Sequence, residues 1–342
     1  MKILVVRNDK LGDFMLSLPS FAMLKLNMPD AKIYALVPEY TAAIAKYSPY
    51  IDKVIIDTTL QNNALSSMLN LRQLIKKENF NAVITLYTTA RVGLACFLSS
   101  IPYRLSPGTK IAQIFYNKRL IQKRSLSEKP EFEYNKDLVK KFLLEHGHRN
   151  ISEPQPPFLS FPEQEIESIK QQIHTDFSIP AKNKIIIIHP GSGGSATNLS
   201  IQQYATLSKI LSPPEHVTLL ITSGPGEEEI ASNLAAQIPE LDYRIYISKQ
   251  GLLNFCKVIS ISDLFISGST GPLHISGALN NNTVAFYPIR RSATSLRWQT
   301  LNHEQNRLAI SPLIDKGELE LADIDLVIAA SKIREKFSAI FG

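Results

Sequence analysis

The sequence predicts an α/β protein built from two doubly wound domains, and three observations carry that prediction. Short β-branched and leucine-rich runs alternate with helix-period segments from residue 2 to 105 and again from 184 to 287. That rhythm belongs to parallel sheets covered by helices on both faces. The two series are separated by Pro154, Pro156, Pro157 and Pro162, a cluster that reads as a linker. The chain has 342 residues, enough for two domains at roughly 150 residues each. The expected division is 1–160 and 161–342, with a cleft between two Rossmann-like domains and a closing helix free to pack back on the first.

In the first half the apolar runs predict strands at Ile3–Val6, Lys32–Val37, Lys53–Ile56, Ala82–Leu86 and Tyr103–Leu105. Helical spacing predicts helices at Phe14–Leu26, Thr41–Tyr47, Ala64–Lys77 and Ala90–Ser99. From Arg104 to Lys129 the rhythm breaks. This stretch carries Arg104, Lys110, Lys118, Arg119, Lys123, Arg124 and Lys129 against the single acid Glu128, with Phe115 and Tyr116 interleaved. It reads either as a solvated loop or as a basic flap over an anionic substrate. A helix at Glu133–His146 follows.

The second half predicts helix Glu163–Phe177, strand Lys184–His189, helix Ile201–Leu211 and strand His216–Thr222. Next come helix Glu227–Gln237, strand Tyr243–Ile247, helix Gly251–Ser260 and strand Leu264–Ser267. Helix Gly271–Ala278, strand Thr283–Tyr287 and an amphipathic helix at Ile324–Phe341 complete it.

Composition narrows the function. Apolar residues are 44 % of the chain and the formal net charge is +6. The charge favours an anionic partner: a nucleotide, a phospholipid surface or a nucleic acid. No nucleic-acid motif supports the last. Cys96 and Cys256 show no CxxC or Cys/His spacing, so buried thiols in a reducing compartment are expected. No secretory signal and no membrane-length apolar run is read, which places the protein in the cytoplasm with a peripheral contact to the inner membrane left open.

Chemistry-bearing residues gather at strand ends, where open α/β sheets bind ligands. Asp13, in Leu11-Gly12-Asp13, lies in the turn after the first strand. It is either a helix cap or a catalytic carboxylate. The turn His189-Pro190-Gly191-Ser192-Gly193-Gly194-Ser195 follows a run of four isoleucines. Its glycines and N–H groups suit an anion, although no Walker lysine closes it. Ser223-Gly224-Pro225-Gly226-Glu227 forms a second such turn, whose acids either complement a helix dipole or accept from ribose or base. Ser267-Gly268-Ser269-Thr270-Gly271-Pro272-Leu273-His274 forms a third. His274 is there either a core residue or a ligand contact. Together the three sketch a nucleotide-diphosphate pocket. No metal site is read: Asp323-Ile324-Asp325 opens the last helix, where capping accounts for it.

These motifs, in this order, resemble the bacterial lipopolysaccharide heptosyltransferases, glycosyltransferase family 9, over nearly the whole chain. The resemblance implies the GT-B fold and a metal-independent, inverting transfer of a sugar from a nucleotide diphosphate, ADP-heptose or a related donor. The acceptor implied is an anionic glycolipid of the lipopolysaccharide or lipooligosaccharide core at the inner membrane. No cofactor is implied beyond the donor itself. Asp13 matches the family's general base. Gly191, Ser192 and Gly193 match the diphosphate cradle, Glu227 the nucleoside contact, and Thr270, Gly271 and His274 a second donor-facing loop. Gly12, Arg104, Lys118, Arg119, Lys123 and Arg124 fall to the acceptor side. Two positions depart from the family pattern: Thr197 stands where it carries lysine, and Ser269 where it carries aspartate. Charge-assisted contacts are roughly twice as strong as neutral ones, so the donor contacts differ there. Two other readings share the residues: a sugar-nucleotide epimerase of the same fold, and a nonenzymatic protein binding nucleotide sugars or glycolipids.

Overall fold

The structure is a computed structural model. It describes residues 1–58, 64–109, 111–194, 196–312 and 320–342. Lys110 and Ser195 lie outside them. The chain divides into two compact units, Met1–Leu159 and Ser160–Gly342.

The first unit runs β1 (Lys2–Val6), α1 (Leu11–Met15), α2 (Leu18–Asn27), β2 (Lys32–Pro38), α3 (Glu39–Ala45) and β3 (Lys53–Asp57). It continues with α4 (Ala64–Glu78), β4 (Ala82–Thr85), α5 (Ala90–Leu98), β5 (Tyr103–Pro107), β6 (Lys118–Leu120) and α6 (Glu131–Glu145). Among the described residues it holds a six-stranded sheet of order β3-β2-β1-β4-β5-β6, all of it parallel. The single helix expected at Phe14–Leu26 is two. Leu16 and Ser17 separate α1 from α2, and Pro19, which has no N–H to donate, sits in the first turn of α2.

The basic stretch after Arg104 is more ordered than a solvated loop. It contains β6 and two short 3-10 turns, Ile111–Phe115 and Arg124–Leu126. Phe115 packs against Phe97 of α5 with ring centroids 6.3 Å apart and the planes tilted by 48°. Gly93 of α5 admits this turn: a Cβ there would lie 3.0 Å from the Phe115 ring.

The second unit runs α7 (Glu163–Asp176), β7 (Lys184–His189), α8 (Ile201–Leu211), β8 (Val217–Ser223), α9 (Glu228–Ala235), β9 (Tyr243–Ile247) and α10 (Gly251–Ser260). β10 (Leu264–Gly268), α11 (Gly271–Ala278), β11 (Thr283–Phe286), β12 (Arg307–Ile310), α12 (Leu326–Lys336) and α13 (Ser338–Phe341) complete it. Its six-stranded sheet has the order β12-β11-β10-β7-β8-β9. Counted from the first strand of each unit, the two sheets have the same winding. β1 and β4 flank the reversal of strand order in one, and β7 and β10 in the other. Such reversals open a crevice at the carboxyl ends of the strands.

The core follows from the sequence pattern. Ile185, Ile186, Ile187 and Ile188 are all buried, as a strand covered on both faces requires. The end of the chain packs on the same core: Ala329, Ala330, Ile333, Phe337 and Ile340 join Ile186, Leu207 and Leu219 in one cluster. Asp325 caps α12 by accepting from Val327 N at 2.9 Å and Ile328 N at 3.0 Å. Asp323 accepts from Glu320 N at 2.7 Å. No helix among the described residues is long and apolar enough to cross a membrane.

Candidate functional site

In the first unit the organising group is Arg7, the residue after β1. Its backbone N–H still bonds Leu36 O at 3.1 Å, so the strand fixes where the side chain starts. The guanidinium is buried, and burial opposes its charge. Asp9, Asp13 and Glu131 outweigh that and hold its pKa above the ordinary arginine value. Arg7 Nε donates to Asp9 Oδ1 at 2.8 Å, Nη2 to Asp13, and Nη1 to Glu131 Oε1 at 3.4 Å and Asn135 Oδ1 at 3.3 Å.

Asp13 therefore does not cap the helix. The N-cap of α1 is Lys10, and Asp13 lies within the first turn. Its side chain keeps 17 % of its surface in water while Arg7 fixes one oxygen. A carboxylate oriented this way and still accessible can take a proton from a hydroxyl. Gly12 precedes it in the same turn. The Asp9 carboxyl is pushed up to about 6, first by burial and then by Asp13, against the pull of Arg7.

The basic residues expected on the acceptor side do not act as one group. Arg124 donates to Glu131 Oε1 at 2.6 Å and to Gln122 Oε1 at 2.8 and 3.0 Å, so it braces the carboxylate that also meets Arg7. Arg104 donates to Phe115 O at 2.9 Å and Ile101 O at 2.5 Å. Lys118 pairs with Glu145 at 3.1 Å. Arg119 donates to Tyr116 O at 3.3 Å, and Lys123 is exposed.

In the second unit the three glycine-bearing turns meet. β7 lies between β8 and β10, so the turns after these strands are neighbours. Gly193 and Gly194 adopt φ of +53° and +68°, which turns successive N–H groups toward one point. That point holds a carboxylate. Ser192 N and Gly193 N donate to Glu227 Oε1 at 2.9 and 2.7 Å. Gly191 is needed for this approach, because a Cβ there would lie 2.6 Å from Glu227 Cδ.

Asn198 braces the turn. Its Nδ2 donates to Pro190 O at 2.8 Å, and its Oδ1 accepts from Tyr204 Oη at 2.6 Å. Gly268 leaves room for that amide: a Cβ there would lie 2.5 Å from Asn198 Oδ1. Thr197 is exposed on the same loop, and Ser269 is half-buried at the end of β10.

The Thr270 hydroxyl is used within its own turn. It meets Ser267 Oγ at 3.2 Å and caps α11 by accepting from Leu273 N at 3.5 Å. Gly271 opens α11. His274 is 3 % exposed, and burial pulls its pKa down to about 4. Its ring lies 6.4 Å from that of Trp298, and Nδ1 has no hydrogen-bond partner among the described residues. His189 is likewise buried, pulled down to about 4, with Nδ1 3.0 Å from Thr222 Oγ1. Both imidazoles are neutral at pH 7. No group of three or more His, Cys, Asp or Glu side chains suited to a metal ion occurs among the described residues.

Sequence reasoning did not find Arg7, Glu131, Asn135 or Asn198. Arg7 carried a signal, a cation closing an apolar strand. The other three act through partners distant in sequence or through backbone carbonyls, which leave no local pattern.

The model of the family described as glycosyltransferase family 9 (heptosyltransferase) matches residues 68–315, and the chain belongs to that family. A Haemophilus influenzae protein named only as a glycosyltransferase is 45 % identical over 96 % of this chain and 95 % of its own. Lipopolysaccharide heptosyltransferase 1 of Campylobacter coli is 23 % identical over 98 % of this chain and 99 % of its own. The solved E. coli ADP-heptose LPS heptosyltransferase II superposes with a TM-score of 0.77 at 19 % identity, covering 100 % of this chain and 98 % of that one. The fold is that of the GT-B heptosyltransferases, and the chain is a glycosyltransferase.

Proposed function

We propose that this enzyme transfers a sugar, with inversion and without a metal ion, from a nucleotide-diphosphate donor to a glycolipid of the lipopolysaccharide core. The observation that carries the reading is the pair of N–H groups of Ser192 and Gly193 aimed at one carboxylate oxygen. A nest that holds a carboxylate suits the oxygens of a leaving diphosphate, whose developing charge it stabilises without a cation. The names of the Campylobacter coli and E. coli relatives support lipopolysaccharide as acceptor and ADP-heptose, or a sugar like it, as donor. Thr197 and Ser269, standing where the family pattern carries lysine and aspartate, replace charge-assisted donor contacts with neutral ones.

The acceptor half falls to the first unit. Asp13, oriented by Arg7, takes the proton of the acceptor hydroxyl as that oxygen attacks the anomeric carbon. The bond from that carbon to the diphosphate breaks, and the nucleoside diphosphate departs from the opposite face. Glu227 leaves the nest when the diphosphate enters and becomes available to the nucleoside hydroxyls.

Asp13→Asn tests the reading. Transfer falls by at least about a hundredfold, the lower range for a general base, while calorimetric affinity for the nucleoside diphosphate stays within about twofold. Transfer at the wild-type rate removes Asp13 from the mechanism. Undiminished turnover in the presence of EDTA is expected as well, and loss of turnover restored by a divalent ion would refute the metal-free step.

A further inference from the structure

The edge of the first sheet presents apolar side chains that the proposed reaction does not use. Ile111 is 87 % exposed, Ile114 65 % and Ile121 78 %. Single exposed aliphatic residues are ordinary, but contiguous ones mark contact surfaces. These are contiguous. Ile111 and Ile114 lie three apart on one 3-10 turn, where such residues eclipse. Ile121 reaches Gly108, whose missing Cβ would lie 3.5 Å from Ile121 Cγ1 and 3.6 Å from Gln113 of that turn. Phe97, half exposed, joins them through its tilted ring contact with Phe115.

Cations ring this patch. Arg104 lies over the Phe97 ring at 5.4 Å, and Arg119 Cβ would be 3.5 Å from a Cβ on Gly108. Lys123 follows Ile121 by two residues. Arg104 and Arg119 donate to backbone carbonyls, which orient them without neutralising their charge. None of the three makes an ion pair with a carboxylate among the described residues. The groove of about 640 Å³ that Ile121 and Lys123 also line holds three further lysines, and these are paired: Lys129, Lys140 and Lys141 meet Asp137, Glu153 and Glu145. Among the described residues the cations without a carboxylate partner here are those next to the isoleucines: Arg104 and Arg119 at the 3-10 turn and Lys123 at the groove edge with Ile121.

We infer that this edge docks on an anionic phospholipid bilayer, with Ile111, Ile114 and Ile121 entering the headgroup boundary and Arg104, Arg119 and Lys123 meeting lipid phosphates. Projecting aliphatic tips set among cations match an interface that is apolar below and negative at its surface. The segment is also tied to the base: Arg124, three residues past Ile121, shares Glu131 with Arg7. Through Glu131 and Arg7 the docking segment is thus linked to Asp13. The inference concerns bilayer lipids, not the sugar acceptor, and goes beyond the proposed reaction.

The test is flotation with vesicles that contain no glycolipid, made of phosphatidylcholine alone or with phosphatidylglycerol. The wild type binds the phosphatidylglycerol vesicles at least about tenfold more tightly, since each basic residue near the surface contributes about fivefold. Ile111→Ser with Ile114→Ser lowers that binding by at least about tenfold, with the melting temperature and nucleotide affinity unchanged as controls for folding. Arg119→Glu with Lys123→Glu removes the preference for anionic vesicles. A wild type that fails to float with phosphatidylglycerol vesicles, or an isoleucine variant that floats equally well, overturns the proposal. So does a concentration-dependent dimer that the isoleucine variant abolishes without any vesicle binding. Each of those results leaves the assignment of Asp13 untouched.

Discussion

Glu227 occupies the N–H nest that the diphosphate is proposed to enter, so removing its carboxylate should tighten the binding of a bare anion. The wild-type protein gives up two charge-assisted hydrogen bonds, of 2.9 and 2.7 Å, when an anion takes those donors. On a half-exposed loop solvent screening reduces each to about 1 kcal/mol, below the roughly 1.5–3 kcal/mol of buried bonds to charged groups. Glu227→Ala therefore raises pyrophosphate affinity by about 2 kcal/mol, or roughly 30-fold. Removal of the like charge acts in the same direction. Glu227→Gln, whose amide oxygen accepts more weakly, falls between. Isothermal calorimetry at fixed ionic strength reads all three. The nucleoside diphosphate supplies the contrast. If the displaced carboxylate turns to the nucleoside, Glu227→Ala gains less for the nucleotide than for pyrophosphate. Unchanged or weaker pyrophosphate affinity in Glu227→Ala refutes the nest as the anion site. Equal gains for both ligands refute the nucleoside contact.

Further outcomes follow from the same geometry. Glu131→Ala removes a carboxylate shared by Arg7 and Arg124, which keep Asp9, Asp13 and Gln122 as partners, and costs about 1–3 kcal/mol. Chemical denaturation measures that loss. Gly268→Ala drives a methyl against Asn198 Oδ1, an overpacking cost of about 1–3 kcal/mol. It also weakens pyrophosphate binding, because Asn198 holds Pro190 O. The buried histidines set an acid limit. His189 and His274 have folded-state pKa values pulled down from 6.5 to about 4, so below pH 6.5 the unfolded chain binds protons that the folded chain does not. Stability is complete above that value and is lost as the pH falls toward 4. At about pH 5 each histidine costs about 2 kcal/mol. His274→Gln removes one share, so its melting temperature falls less than that of the wild type between about pH 7.5 and pH 5. An equal fall in both proteins would contradict the burial argument.

The interior strands were legible because burial on both faces leaves an unbroken apolar run, as in Ile185–Ile188. The edge strands β6 and β12 were not. They span Lys118–Leu120 and Arg307–Ile310, are largely half-buried or exposed, and are held by backbone pairing to one neighbour, which imposes no side-chain pattern. The break between α1 and α2 was written in Pro19, but the apolar spacing across it masked the stop.

Local order along the chain was enough to determine two doubly wound units and a glycine turn after β7 suited to an anion. The same is true of a carboxylate after β1, since strand ends and φ-permissive residues are properties of a few consecutive positions. What only the tertiary structure decided is how those groups are held. Asp13 is oriented by Arg7, and Arg7 by a carboxylate 124 residues away. The nest after β7 is closed by a carboxylate from the turn after β8. Buried charges need partners whatever their separation in the chain, and that pairing is settled only when the strands are laid side by side.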